Sequence, residues 1–122
     1  MTGKSVLGCF CSLGFCFALS MMALLVGCRR AEPLTTQEAE GKRLYLGRCA
    51  HCHEDNDLQL KKVPPDLHNL FARPALPSGT PSSDVEVQRV VLAGKGMMPS
   101  FAGRFTDEQM AALIAYLRTG LR

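Results

Sequence analysis

Cys49-Ala50-His51-Cys52-His53 brings two thiols and two imidazoles into five consecutive residues. Its Cys-x-x-Cys-His order is the attachment pattern of a c-type haem. Cysteines three positions apart fall on one side of a helical turn, so both can form thioether bonds to the vinyl groups of one porphyrin. His53 follows at the point where an imidazole nitrogen can reach the iron as proximal ligand. Two other chemistries use Cys-x-x-Cys. A thioredoxin-like dithiol wants a strand-helix-strand surrounding, and the sequence shows no such pattern. A structural zinc site wants a second pair of ligands, yet every other cysteine lies at or before Cys28. A covalently held haem cannot be lost by dilution, which suits a protein working outside the cytoplasm.

The N-terminus bears on that compartment. Lys4 is followed by residues 6–26, an apolar run without a charged side chain, which reads as a targeting segment. The run ends in Leu25-Val26-Gly27-Cys28, which resembles the lipobox of bacterial lipoproteins. The resemblance implies cleavage before Cys28, a lipid on Cys28, and a place on the periplasmic side of a membrane, inner or outer. The chain then divides into a signal peptide (1–27), a lipid-anchored tether (28–34) and the haem domain (35–122). The tether reaches at most about 25 Å when extended. The alternative is a retained transmembrane helix, because the run is long enough to span a bilayer. Arg29 and Arg30 would then favour a cytoplasmic position for the rest of the chain, the wrong side for haem attachment. Cys9, Cys11 and Cys16 are apolar fillers of the run.

Composition narrows the partners. The 14 Lys and Arg against 11 Asp and Glu give a formal charge of +3, and two haem propionates would bring the mature domain close to neutral. The basic residues are dispersed and only Tyr45 and Tyr116 offer an aromatic ring with a polar edge, so nothing argues for nucleic acid. A domain of this size buries a limited core; haem supplies an apolar centre for helices to wrap.

Three capping boxes mark the helices that must position the motif. Thr35 with Glu38 opens a helix over about 36–47. Gly41 within it costs roughly 1 kcal/mol against alanine; it is either tolerated on an exposed face or marks a close helix crossing, with Tyr45 on the same side. Ser83 with Glu86 opens a helix ending near Ala93, with Gly94 as its stop and Val87, Val90 and Val91 as its buried stripe. Thr106 with Gln109 opens the last, where Phe105 can pack on Met110. Met110, Leu113, Ile114 and Leu117 follow an amphipathic rhythm, and Gly120 ends it. No stretch alternates at period two. The expected fold is all-α: three to five helices around one haem.

Over about residues 35–121 the chain resembles the class I cytochromes c. Gly41 and Tyr45 stand before Cys49 where that family keeps a small residue and an aromatic, and the segment around Leu113-Ile114-Ala115-Tyr116-Leu117 resembles their partner on the C-terminal helix. The segment Pro64-Pro65-Asp66-Leu67 is similar to the family's Pro-x-Leu stretch. The resemblance implies that the Pro65 carbonyl accepts a hydrogen bond from the second ring nitrogen of His53, fixing the ring and raising its basicity. It also implies a methionine as distal ligand, in a Met-Pro context on a loop. Met110 belongs to a helix stripe, which leaves Met97 and Met98 in Gly94-Lys95-Gly96-Met97-Met98-Pro99. Met98 is the choice because proline follows it directly. His51 reads as solvent-facing and His68 as a surface or propionate-side residue; both are rival nitrogens.

Iron held by His53 and Met98 has no open position for substrate and changes oxidation state with little rearrangement. The expected function is one-electron transfer between redox partner proteins, a reductase and an oxidase, with no catalysis. Lys61, Lys62 and Lys95 suit an acidic partner, against the opposing cluster of Glu54, Asp55 and Asp57. Two alternatives are a fixed haem subunit of a larger dehydrogenase or oxidase, and a ligand-binding or peroxidase-type protein with an open sixth position.

Overall fold

Residue Thr35 closes the reciprocal box expected at its helix: its hydroxyl accepts from the Glu38 amide at 3.2 Å, and its own amide donates to the Glu38 carboxylate at 2.7 Å. The computed structural model describes residues 32–122; the targeting segment, the lipobox and Cys28 lie outside them. From this cap runs α1 (Thr36–Arg48), followed by a single turn, α2 (Ala50–His53). Next come a 3₁₀ turn (Leu70–Ala72), α3 (Asp84–Ala93) and α4 (Asp107–Arg118). Among the described residues there is no strand, only isolated bridges pairing Ala75 with Pro81 and Lys95 with Met98. The fold is all-α. No helix among them is long and apolar enough to cross a membrane.

The core is built where α1 meets α4. Helix α1 is polar over most of its surface and buries one narrow strip, Gly41, Leu44 and Tyr45, at i, i+3 and i+4. Helix α4 buries the expected Met110, Leu113, Ile114 and Leu117, and also Ala112 and Tyr116. Tyr116 belongs to the segment that the resemblance pairs with Gly41 and Tyr45; Ala112 lies off the amphipathic stripe, and both meet α1 where it crosses at Gly41. A Cβ on Gly41 would overlap the Ala112 carbonyl oxygen and approach the Ala112 carbonyl carbon to 2.6 Å and Tyr116 Cβ to 2.7 Å. The absent side chain lets the two backbones touch, and the rings of Tyr45 and Tyr116 then meet at 5.6 Å and 59°, a tilted geometry favourable for aromatic pairs. Leu34, assigned to the tether by sequence, packs against this core, since an apolar residue beside a helix cap is cheapest buried.

Two differences concern α3. Ser83 accepts from the Glu86 amide at 3.3 Å, but the Glu86 carboxylate does not return the bond to Ser83. It pairs with Arg89 at 2.6 Å, because a guanidinium one turn on is a stronger donor than a neutral amide. Only Val87 of the expected stripe is buried. Val90 and Val91 are half-buried: they pack against the core and, like Val87, line a cavity. The helix is tied to α4 by Arg118, whose guanidinium lies 2.7 Å from the Asp84 carboxylate and 4.4 Å from the Phe71 ring centroid.

Candidate haem site

Helix α1 ends at Arg48, and the chain restarts at once as α2, with Cys49 as the hinge between them. The Cys49 carbonyl accepts from the amides of Cys52 at 3.1 Å and His53 at 2.9 Å, so the five-residue motif is wound into one turn. That turn presents Cys49, Cys52 and His53 to a cavity of about 690 Å³, within the size range of sites for small molecules and cofactors.

Of the three histidines, His53 alone lines this cavity. Its Nδ1 lies 2.8 Å from the carbonyl oxygen of Pro65. A carbonyl only accepts, so Nδ1 carries a proton, and in the neutral ring the lone pair then falls on Nε2, the tautomer needed by a metal ligand. His51 and His68 are engaged elsewhere. The Nδ1 of His51 sits 2.8 Å from Asp57 and that of His68 sits 2.7 Å from Asp66, both on the exposed surface.

The methionines separate in the same way. Met110 is a core residue of α4. Met97 and Met98 both reach the cavity from the turn after α3. Lys95 and Met98 exchange backbone hydrogen bonds at 3.0 and 3.1 Å, making a two-residue turn in which Gly96 (φ 60°) stands first, the pattern of a type II′ turn. Met97 therefore rides on the tip and is 57% exposed, whereas Met98 stands at the foot, half-buried.

The remaining walls are apolar: Leu60, Val63 and Leu67 from the loop after the motif, Leu76, Val90 and Val91 from the middle of the chain, and Leu113 and Leu117 from α4. The sequence marked the valines as a buried helix stripe and Leu67 through its Pro-x-Leu resemblance, but carried no signal that Leu60 or Val63 would line a cavity. Arg48, Lys62 and Lys95 also line the cavity, and no carboxylate does. Lys61 stays outside it. Tyr45 reaches the wall with its hydroxyl buried and unpartnered. Burial, and secondly the nearby Glu54 carboxylate, push its phenol above the ordinary tyrosine range, so it stays a neutral hydroxyl.

The dithiol and zinc alternatives fare poorly against this geometry. Burial, reinforced by neighbouring Cys52, pushes the Cys49 thiol up to about 11, whereas redox-active thiols sit in sites that lower the pKa. Among the described residues no group of three or more His, Cys, Asp and Glu is placed to hold a bare metal ion.

Comparison with known proteins agrees. The family described as "Cytochrome C oxidase, cbb3-type, subunit III" matches residues 36–117. The chain is 32% identical to cytochrome c6 of Thermosynechococcus vestitus over 102 residues, covering 79% of this chain and 80% of the relative. The chain belongs to the class I c-type cytochromes. Cytochrome c6 of Synechocystis sp. is 29% identical over 111 residues, 91% of this chain and 80% of its own. That of Synechococcus elongatus is 32% identical over 85 residues, 65% and 85% respectively. No solved structure matches the chain.

The cytochrome binds one covalent haem c with its iron and is a monohaem electron carrier, not an enzyme. Its residues fit that group: an apolar cavity large enough for a macrocycle, with two thiols, one lone-pair imidazole and thioether sulfur on its walls.

Proposed function

We propose that Cys49 and Cys52 hold the haem through thioethers, that His53 Nε2 and Met98 Sδ are its two axial ligands, and that the cytochrome carries single electrons while anchored to a membrane. Bound there, the haem supplies an iron that cycles between the ferric and ferrous states. The chain's residues do the rest. The Pro65 carbonyl holds the His53 ring in one tautomer and raises its basicity. A thioether from Met98 favours the reduced state and raises the potential. The apolar walls exclude water, so little solvent reorganises when charge arrives. Lys62, Lys95 and Arg48 surround the cavity without a carboxylate among them, which suits docking to acidic partner proteins, a reductase on one side and an oxidase on the other.

The observation that carries this reading is one cavity lined by His53, with Nδ1 already committed to Pro65, and by Met98 at the foot of its turn. The test is spectroscopic. Protein matured with haem should give a low-spin spectrum in both oxidation states and bind carbon monoxide poorly when reduced. Met98→Ala should lower the potential and admit carbon monoxide, while Met97→Ala should do neither. Ready carbon monoxide binding by the unaltered protein would establish an open-site haem protein instead.

Membrane attachment rests on the lipobox-like segment ending at Cys28, and with it a periplasmic location. The domain division into signal peptide, tether and haem domain belongs to the same proposal. A second reading is favoured by the matching family's description as an oxidase subunit: the cytochrome as a fixed haem subunit of a larger complex. Purification from native membranes under mild detergent separates the two, a shuttle emerging alone and a subunit emerging in stoichiometric company.

A further inference from the structure

Gly94 stops α3, yet termination alone does not account for its surroundings. Its backbone stands at φ 73° and ψ 169°, a region only glycine enters without strain. A Cβ there would lie 2.6 Å from the carbonyl oxygen of Met98, 2.8 Å from the amide nitrogen of Ser100 and 2.9 Å from the carbonyl carbon of Pro99. All three are backbone atoms, so no rotamer change can make room. The methionine turn is folded back until its peptide chain rests on the end of α3.

Two further ties hold the same segment. The Ser100 hydroxyl donates to the Leu92 carbonyl at 2.6 Å, and the Phe101 amide donates to the Val91 carbonyl at 3.1 Å. Both use carbonyls that the last turn of a helix leaves free. The segment from Met98 to Phe101 is thus the C-terminal cap of α3, and α3 in turn is anchored by Arg118 to α4.

We propose that Gly94 is a positioning residue for the sulfur of Met98: its missing side chain lets the Met98-Pro99-Ser100 backbone seat against α3, and that seating sets how far the thioether enters the cavity. The inference rests on Met98 being the distal ligand. Gly94→Ala pushes the segment outward and raises the fraction of molecules in which the methionine is off the iron. Apparent affinity for an added ligand scales with that open fraction.

The test uses haem-loaded mature protein and four measurements: the mass of the covalent adduct, the sulfur-to-iron charge-transfer band, the reduction potential and the affinity of the ferrous form for carbon monoxide. Gly103 is the control, since it has a similar φ of 70° but nothing within 4 Å of a Cβ. Gly94→Ala should keep the covalent haem, weaken the charge-transfer band, lower the potential and raise carbon monoxide affinity roughly tenfold or more, toward the Met98→Ala value. Gly103→Ala should stay within about twofold of the unaltered protein. Should Gly94→Ala fail to accumulate, Ser100→Ala removes a tie without adding an atom and should move the same readouts in the same direction. A Met98→Ala protein that binds carbon monoxide while Gly94→Ala, or Ser100→Ala in its place, matches Gly103→Ala overturns the positioning role alone. A Met98→Ala protein that leaves affinity unchanged overturns the ligand reading and the positioning role together.

Discussion

Replacing Gly41 with alanine sets two effects of opposite sign against each other. Helix propensity alone makes the change favourable by about 1 kcal/mol. Against it stands the crossing with α4, where the new methyl would meet the Ala112 carbonyl group, carbon at 2.6 Å, and Tyr116 Cβ at 2.7 Å. Restoring ordinary carbon contacts of about 3.5 Å requires the helices to part by roughly 1 Å, which forfeits about a quarter to a half of each affected dispersion contact. Overpacking of this kind costs about 1–3 kcal/mol. Loosening the Tyr45–Tyr116 pair adds about 0.5–1.5 kcal/mol. The net expectation is destabilisation by about 0.5–3.5 kcal/mol. At about 4–8 °C per kcal/mol for a domain of this size, the Tm should fall by at least about 2 °C. Gly47 is the internal control, because it lies on the same helix with nothing within 4 Å of a Cβ. Gly47→Ala should gain up to about 1 kcal/mol. Denaturant unfolding of the haem-loaded protein, followed by circular dichroism with the slope m checked for constancy, measures both. Gly41→Ala at or above the stability of the unaltered protein would refute the close-approach argument.

Other expectations concern charge and anchoring. The Thr35 amide and hydroxyl hold the Glu38 carboxyl below its ordinary value of 4.5, so its contribution to stability is present above that pH and lost as pH falls through the lower folded value. The stability gap between the unaltered protein and Glu38→Gln should therefore be visible near neutrality and close in acid; a gap that widens in acid contradicts the capping assignment. Oxidation of the ferrous protein by ferricyanide, an anion, should slow several-fold in Lys62→Glu at low ionic strength, and the difference should shrink with added salt. An unchanged rate would remove the cationic rim from the encounter. Cys28→Ser should abolish lipid incorporation and release the protein from the membrane fraction, whereas persistent membrane binding would favour a retained helix.

Much of this cytochrome was legible because its signals are local. A capping box is written within four residues, so Thr35 with Glu38 and Thr106 with Gln109 declared two helix starts that the structure reproduces. The Cys-x-x-Cys-His turn and the all-α character come from the same short range. What sequence could not decide depends on which residues meet across the fold. Ala112 lies off the amphipathic stripe of α4, and its burial follows from the close crossing of α1 at Gly41. Val90 and Val91 look like core on a helical stripe, yet face a cavity.

The choice among histidines and methionines drew on both levels. The Cys-x-x-Cys-His order pointed to His53 ahead of His51 and His68; packing turned it toward the cavity, with Pro65 on its Nδ1, and paired the others with surface aspartates. Met97 and Met98 are neighbours in sequence, and a two-residue turn leaves one on the tip and the other at the foot. Backbone hydrogen bonds and caps act over a few residues and can be read from their order. A cavity exists only after distant segments have packed, and its lining belongs to the tertiary structure.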